Sequence, residues 1–201
     1  MIDTVISDLG KVIVWFDNRI FYKKIAGYTS FPEDRVRDIV RAHWNLIELF
    51  DIGELTSAEF HARAVQALDA RIGFEDFFAI YNDVFSLNPP ALELLQKLKP
   101  RCTLVLCSNT DVMRFSFIKE KFPEILIFDE YVLSFEVGFM KPHPQIYAEA
   151  LKRARSEAQR AVFIDDMEEN IQAAENAGIR GILFSSAAGL EKELRHLGLS
   201  F

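Results

Sequence analysis

Residues 161–178 read AVFIDDMEENIQAAENAG. Four apolar residues are followed by two adjacent aspartates and then by an alanine-rich stretch that stops at Gly178. Continuous apolar runs of this length are typical of strands that are buried on both faces of a parallel sheet. A glycine is a common end for a helix. The stretch therefore predicts a strand, an acidic turn and a helix over 167–177, which is the repeating unit of an α/β fold.

The same pattern extends over much of the chain. Asn88, Pro89 and Pro90 predict the start of a helix that runs through Lys99 and ends at Pro100. Further apolar runs of strand length, separated by helical patterns, lie at residues 4–7, 103–107, 130–133 and 181–184. This alternation predicts an α/β protein with a doubly wound parallel sheet.

Residues 17–87 interrupt this alternation. They hold no convincing strand, but amphipathic helical patterns occur at 19–26, 33–50, 58–70 and 75–85, and Thr56 followed by Glu59 fits a capping box. We therefore predict a core formed by residues 1–16 and 88–201 and a helical cap formed by residues 17–87. The many phenylalanines of the cap favour a small bundle core over an apolar ligand groove.

Composition limits the function classes. The 201 residues carry 23 basic and 30 acidic side chains, a net charge of −7, and half of the residues are hydrophobic. This balance excludes a disordered chain and argues against binding to nucleic acid or to an anionic membrane. No apolar run is long enough to span a bilayer, and the N-terminus lacks the basic region of a secretory signal. We expect a cytoplasmic monomer or homodimer in which Cys102 and Cys107 are reduced.

Polar residues follow each of the apolar runs that would end at one edge of the sheet. Asp8 follows the first, Ser108-Asn109-Thr110 the second and Asp165-Asp166 the fourth, while Lys141 lies in the loop after the third. Each group alone is common as a turn or a helix cap. Ligands of open parallel sheets bind at the carboxyl ends of the strands, so the coincidence of all four predicts a functional site there.

Phosphoryl transfer is the chemistry that fits these residues. A carboxylate such as Asp8 can attack phosphorus and form an aspartyl-phosphate. Asp8 and Asp166 offer the oxygen ligands that Mg²⁺ prefers. Ser108 and Lys141 can bind the phosphate oxygens, and the charge of Lys141 also offsets that of Asp8.

Taken together, these stretches resemble the four motifs of the haloacid dehalogenase-like hydrolase superfamily, in order and spacing. The resemblance implies a Rossmann-like core, a helical cap, Mg²⁺ as cofactor and phosphatase activity on a small phosphorylated metabolite, with sugar phosphates the first choice. It also implies that Ser108 and Lys141 bind phosphate, with Asn109 beside them. The matching stretches are residues 8–10, 105–110, 138–142 and 163–170.

The resemblance likewise implies a set of metal ligands. Asp8 would be nucleophile and ligand, and Asp166 the main acidic ligand, while Asp165 would contact the metal directly or through water. Gly10 would offer its backbone carbonyl. Asn170 would orient the loop that carries the two aspartates.

Gly10 is also the one departure from the family pattern. Most phosphatases of the superfamily have an aspartate at this position, where it serves as general acid and then base, and glycine cannot transfer a proton. Such a group contributes about 10²–10⁴-fold to the rate. The leaving group of a sugar 1-phosphate needs less protonation, which is one explanation; the other is that a cap residue takes the place of the missing acid. Asp17 is our first choice for that residue, ahead of His43 and His61, although each also fits a structural role.

Two alternatives follow from these residues. Without its acid–base group, the protein could be a very slow phosphatase or a non-catalytic phosphate-binding regulator. Haloacid dehalogenation on the same fold needs no metal, so the adjacent pair Asp165-Asp166 argues against it.

Overall fold

The computed structural model describes residues 1–200. Five parallel strands form the central sheet in the order β5-β4-β1-β6-β7, with ranges β1 Thr4–Ser7, β4 Thr103–Ser108, β5 Glu130–Leu133, β6 Ala161–Asp165 and β7 Arg180–Leu183. Two shorter strands, β2 Val14–Phe16 and β3 Phe85–Leu87, form a separate antiparallel ribbon. The predicted doubly wound α/β fold is confirmed.

Helices cover both faces of the sheet. Because successive strand residues point to opposite sides, each strand buries side chains against helices on both faces. The helices after the ribbon are α6 Pro89–Leu98, α7 Val112–Lys121, α8 Ser134–Val137, α9 Pro144–Ala154, α10 Glu168–Asn176 and α11 Ala187–His196. Val5 belongs to a buried cluster with side chains of α6, α7 and α11, whereas its neighbour Ile6 belongs to a cluster with side chains of α9 and α10. Continuous apolar strand sequences are the consequence of this double burial.

Residues 18–82 form a helical insertion between the two ribbon strands. Its helices are α1 Asn18–Ile25, α2 Glu33–Ala42, α3 Trp44–Asp51, α4 Ser57–Ala67 and α5 Phe74–Asn82. Their apolar faces share a separate buried cluster rich in aromatic side chains, including stacked Phe50 and Phe60. The capping box of Thr56 and Glu59 is present at the start of α4.

Two details of the insertion differ from the sequence prediction. The single helix predicted over 33–50 is broken at His43, whose ring Nδ1 lies 2.9 Å from the carbonyl oxygen of Ile39. The segment predicted as helix up to residue 85 ends at Asn82, and Phe85–Leu87 is a strand in an interval where we predicted none. That strand forms only by pairing with β2, a contact between distant residues that no local pattern encodes.

A buried polar contact joins the insertion to the core. The hydroxyl of Tyr81, on α5, donates to Asp111 Oδ2 at 2.9 Å, and the Arg114 guanidinium lies 4.1 Å from the centre of the Tyr81 ring. Asp111 Oδ1 in turn accepts from the backbone N–H groups of Met113 and Arg114, which caps α7.

No helix within the described residues is long and apolar enough to cross a lipid bilayer.

Gly53 makes a second contact between the insertion and the core. It follows α3 with a φ of +78°, and a Cβ there would lie 2.4 Å from the backbone oxygen of Phe135 on α8. We expect Gly53→Ala to destabilise the protein by about 2 kcal/mol, because the left-handed conformation is costly for alanine and the carbonyl cannot yield like a side chain. Urea unfolding followed by circular dichroism measures this change.

Gly27→Ala is the matched control. Gly27 lies in a short 3-10 turn of the insertion, and a Cβ there would meet nothing within 4 Å. Equal stabilities of the two variants would contradict the contact assigned to Gly53.

Candidate active site

The strand ends bring the predicted polar residues to one edge of the sheet. β1 lies between β4 and β6 with Ser7 opposite both Leu106 and Ile164. Asp8 leaves β1 at this point, and its backbone N–H still donates to the carbonyl oxygen of Ile164. The strand order changes direction at β1, since β4 and β5 lie to one side of it and β6 and β7 to the other. Open α/β sheets bind ligands at the carboxyl ends of the strands at such a point.

Lys141 is buried between two of the carboxylates. Its Nζ lies 2.6 Å from Asp8 Oδ1 and 2.7 Å from Asp165 Oδ2, and its side chain is 2% exposed. The Asn109 side chain holds the Lys141 backbone from both sides, donating to its carbonyl oxygen and accepting from its N–H. Asn109, predicted to lie beside the phosphate, therefore positions the lysine.

Asp165 is held by the start of α10. Its Oδ1 accepts from the Met167 backbone N–H at 2.9 Å and from Asn170 Nδ2 at 3.0 Å. The carbonyl oxygen of Asn170 accepts from the Tyr147 hydroxyl. Because its Oδ2 faces Lys141, both carboxylate oxygens of Asp165 already have protein partners.

Asp166 is the more open of the adjacent pair. Its side chain is 18% exposed, and Oδ2 lies 3.0 Å from Lys11 Nζ. Sequence reasoning missed Lys11 because nothing in a lysine after Leu9-Gly10 distinguishes it from a solvated surface residue. Only the fold brings it to the carboxylate that follows β6.

The three carboxylates fit a divalent cation. Asp8, Asp165 and Asp166 each offer one oxygen, and these oxygens lie within 4.8 Å of one another. Three negative charges face the two ammonium groups of Lys141 and Lys11, which leaves one positive charge to be supplied. Oxygen donors are what Mg²⁺ prefers. Asp8 and Asp166 are better placed as direct ligands than the fully engaged Asp165.

Burial and charge set the protonation of the central pair. Burial raises the pKa of Asp8 to about 6, against the opposing effect of the Lys141 charge. Burial alone would lower the pKa of Lys141, but the charges of Asp8 and Asp165 outweigh it and raise the pKa above its ordinary value. At neutral pH the site therefore holds an ionised Asp8 beside a charged Lys141.

Ser108 and Gly10 lie at the carboxyl ends of two neighbouring strands of the sheet, β4 and β1. Ser108 ends β4, and its Oγ lies 3.5 Å from the carbonyl oxygen of Asn109, a long contact that leaves the hydroxyl weakly engaged. A Cβ on Gly10 would lie 3.9 Å from Asp8 Oδ2 and 3.2 Å from Cε1 of Phe16. A Cβ at position 10 would thus be in tight contact with the Phe16 ring.

The structure places the three suggested replacement acids in structural surroundings. Asp17 caps α1 and pairs with Arg19 at 2.7 Å, and the hydrogen bonds from Arg19 lower its pKa, which disfavours proton donation. His43 contacts the carbonyl oxygen of Ile39 at the break between α2 and α3. The His61 ring packs against phenylalanines of α5.

Comparisons with known proteins agree with the fold. The sequence profile of the haloacid dehalogenase-like hydrolases matches residues 2–178. A HAD family enzyme of Bacteroides thetaiotaomicron, solved with magnesium and inorganic phosphate, superposes with a TM-score of 0.78 at 22% identity, covering 92% of this chain and 95% of that one.

Two curated relatives match part of their own length. The sesquiterpene phosphatase astK of Aspergillus oryzae is 31% identical over 55% of this chain and 58% of its own. Bifunctional epoxide hydrolase 2 of Rattus norvegicus is 23% identical over 82% of this chain and 31% of its own. The chain spans about a third of the length of the first curated relatives that it matches.

The raised pKa of Asp8 predicts a pH-dependent effect of Asp8→Asn on stability without metal. The native state holds the Asp8 proton up to about pH 6 and the unfolded state only to about 3.8, so the wild type loses stability as pH rises through this window. Asparagine does not titrate. The stability of Asp8→Asn relative to wild type should therefore increase by about 2 kcal/mol between pH 4 and pH 7.

Urea unfolding at several pH values, in a chelator-containing buffer, measures this difference. Asp34→Asn, a change at an exposed carboxylate of α2, is the control and should leave the pH dependence unaltered. A constant difference between Asp8→Asn and wild type from pH 4 to 7 would refute the buried-charge account of Asp8.

Proposed function

Because this chain belongs to the haloacid dehalogenase-like hydrolase family, we propose that it hydrolyses phosphomonoesters of small metabolites with Mg²⁺ as cofactor. One observation carries the proposal: the Lys141 ammonium bridges Asp8 and Asp165, while Asp166 offers an oxygen beside them. A phosphate dianion is repelled by a lone carboxylate, and this arrangement supplies the neutralising charge. Sugar phosphates are the substrates we would test first.

Asp8 would be the nucleophile. Its carboxylate oxygen forms a bond to phosphorus, the bond from phosphorus to the leaving oxygen breaks, and the freed alkoxide takes a proton from water. The resulting hydroxide attacks phosphorus of the aspartyl-phosphate, which releases inorganic phosphate and restores the Asp8 carboxylate. The pKa of Asp8, at about 6, leaves the carboxylate ionised at neutral pH.

Lys141 and Ser108 would hold the transferred phosphoryl group. An ammonium has three N–H donors, and Lys141 uses two of them on Asp8 and Asp165, so the third can reach a phosphate oxygen. The weakly engaged hydroxyl of Ser108 can donate to another. Asn109 keeps Lys141 in place through its backbone.

Asp8 and Asp166 would hold the metal, with the Gly10 carbonyl as a further candidate ligand and Asp165 acting mainly through Lys141. When bound, Mg²⁺ supplies charge neutralisation at the phosphate oxygens. The carboxylate donors and the missing positive charge of the site support this assignment.

Phosphate release from a panel of phosphomonoesters tests the function. We expect release from p-nitrophenyl phosphate and from sugar 1- and 6-phosphates that requires Mg²⁺ and disappears with a chelator. Asp8→Asn should lower kcat at least about a thousandfold, since loss of a nucleophile removes the covalent route. Asp34→Asn should match the wild type.

Other outcomes distinguish the alternatives. Release that persists in Asp8→Asn would contradict the assigned nucleophile. Mg²⁺-dependent phosphate binding without turnover would favour a regulatory binding protein, the alternative that is suggested by Gly10 because glycine cannot transfer a proton. Chloride release from a 2-haloacid in the presence of chelator would indicate a dehalogenase.

A further inference from the structure

Lys11 places a second ammonium group at the edge of the carboxylate site. Its Nζ lies 3.0 Å from Oδ2 of Asp166, and its side chain is about half exposed. Lys141, in contrast, is enclosed between Asp8 and Asp165. Among residues 1–200, these two lysines are the cations that pair with the three carboxylates, and Lys11 is the one that also faces the solvent from which a substrate arrives.

The backbone at Lys11 is unusual for a lysine. Its φ is +55°, in the left-handed region that favours glycine, and its N–H donates to the carbonyl oxygen of Val14. The N–H groups of Ile13 and Val14 both donate to Leu9, which closes a tight turn directly after Asp8. This backbone conformation costs a lysine more conformational free energy than it would cost glycine. Strained backbone of this kind is concentrated at functional sites, which points to a role for the Lys11 side chain.

The Phe16 ring lies next to both Lys11 and the position that Gly10 leaves without a side chain. A Cβ on Gly10 would be 3.2 Å from the Phe16 ring and 3.9 Å from Asp8 Oδ2. Lys11 Nζ lies 5.8 Å from the centre of the same ring. The Phe16 ring thus borders both the empty position beside Asp8 and the Lys11 ammonium.

We propose that Lys11 stabilises the leaving-group oxygen during phosphoryl transfer to Asp8, and this rests on the phosphatase function proposed above. As the bond between phosphorus and the leaving oxygen breaks, the electron pair stays on that oxygen. The Lys11 ammonium donates a hydrogen bond to it and remains protonated, and the alkoxide then takes its proton from water. Charge stabilisation at Lys11 takes the place of proton transfer at residue 10.

The dependence of rate on leaving group tests this role. The weakly basic p-nitrophenolate needs little stabilisation, whereas the alkoxide of a sugar 6-phosphate needs much. Lys11→Met should therefore lower kcat/KM about 100-fold or more on the sugar 6-phosphate, as for loss of one donor to a developing oxyanion, but only about threefold on p-nitrophenyl phosphate. A series of aryl and alkyl phosphates should give a steeper slope of log kcat/KM against leaving-group pKa in this variant.

Further variants separate charge from fold. Lys11→Arg keeps the positive charge, so its slope of log kcat/KM against leaving-group pKa should be close to the shallow slope of the wild type. Lys11→Gly suits the positive φ and removes the charge, so it should reproduce Lys11→Met even if methionine disturbs the turn. Lys97→Met, at an exposed position of α6, should leave the slope unchanged. Calorimetric titration with Mg²⁺ shows whether losing the partner of Asp166 changes metal affinity, and assays at saturating Mg²⁺ remove that effect.

The outcomes separate this proposal from the function on which it rests. Equal losses on aryl and alkyl phosphates, or an unchanged slope in Lys11→Met and Lys11→Gly while the wild type remains active, would overturn the role of Lys11 and leave the phosphatase function standing. If the wild type releases no phosphate from any substrate, both proposals fall.

Discussion

The contact of the Lys141 ammonium with Asp8 and Asp165 is the interaction on which the candidate site depends. Two carboxylates buried this close together would repel each other without a cation between them. Lys141 removes that repulsion, and it is itself fixed through its backbone by Asn109. The ends of β4 and β6 and the loop before α9 are thereby joined around the end of β1. One negative charge remains in excess, because Asp8 and Asp165 share the single ammonium of Lys141, whereas Asp166 on the open side is paired with Lys11.

The helical insertion is joined to this arrangement through the same stretch that carries Ser108. Asp111 lies three residues after Ser108, caps α7 and accepts from Tyr81 of α5. A movement of the insertion would therefore act on the start of α7 next to the proposed phosphate-binding residues. Gly53 forms the other contact, against α8, which precedes the loop that carries Lys141. Both contacts are thus made by core residues that are close in sequence to the proposed phosphate-binding residues.

Local patterns were sufficient to predict the sheet and the strand-end residues. Apolar runs identify buried strands, and the polar residues after Ser7, Cys107 and Ile164 meet because parallel strands end at one edge. Features that depend on contacts between distant residues were not predictable: the β2–β3 ribbon and the pairing of Lys11 with Asp166. The break at His43 was also not predicted, although the contact of its ring with the Ile39 carbonyl oxygen is local. Asn109 shows the same limit, because the sequence places it beside the phosphate residues but cannot show that its amide holds the Lys141 backbone.

Gly10 gains a physical interpretation from Phe16. A Cβ at position 10 would lie 3.2 Å from the Phe16 ring, which is closer than ordinary van der Waals contact. Glycine and phenylalanine are therefore mutually compatible here, and the ring packs edge-on against Phe85 across the β2–β3 ribbon. A side chain introduced at position 10 would require this ring, which helps to join the two strands flanking the insertion, to shift by a few tenths of an ångström. The site beside Asp8 is thus bordered by an aromatic ring, and the cation that lies beside the same ring is Lys11, the residue proposed to act on the leaving group.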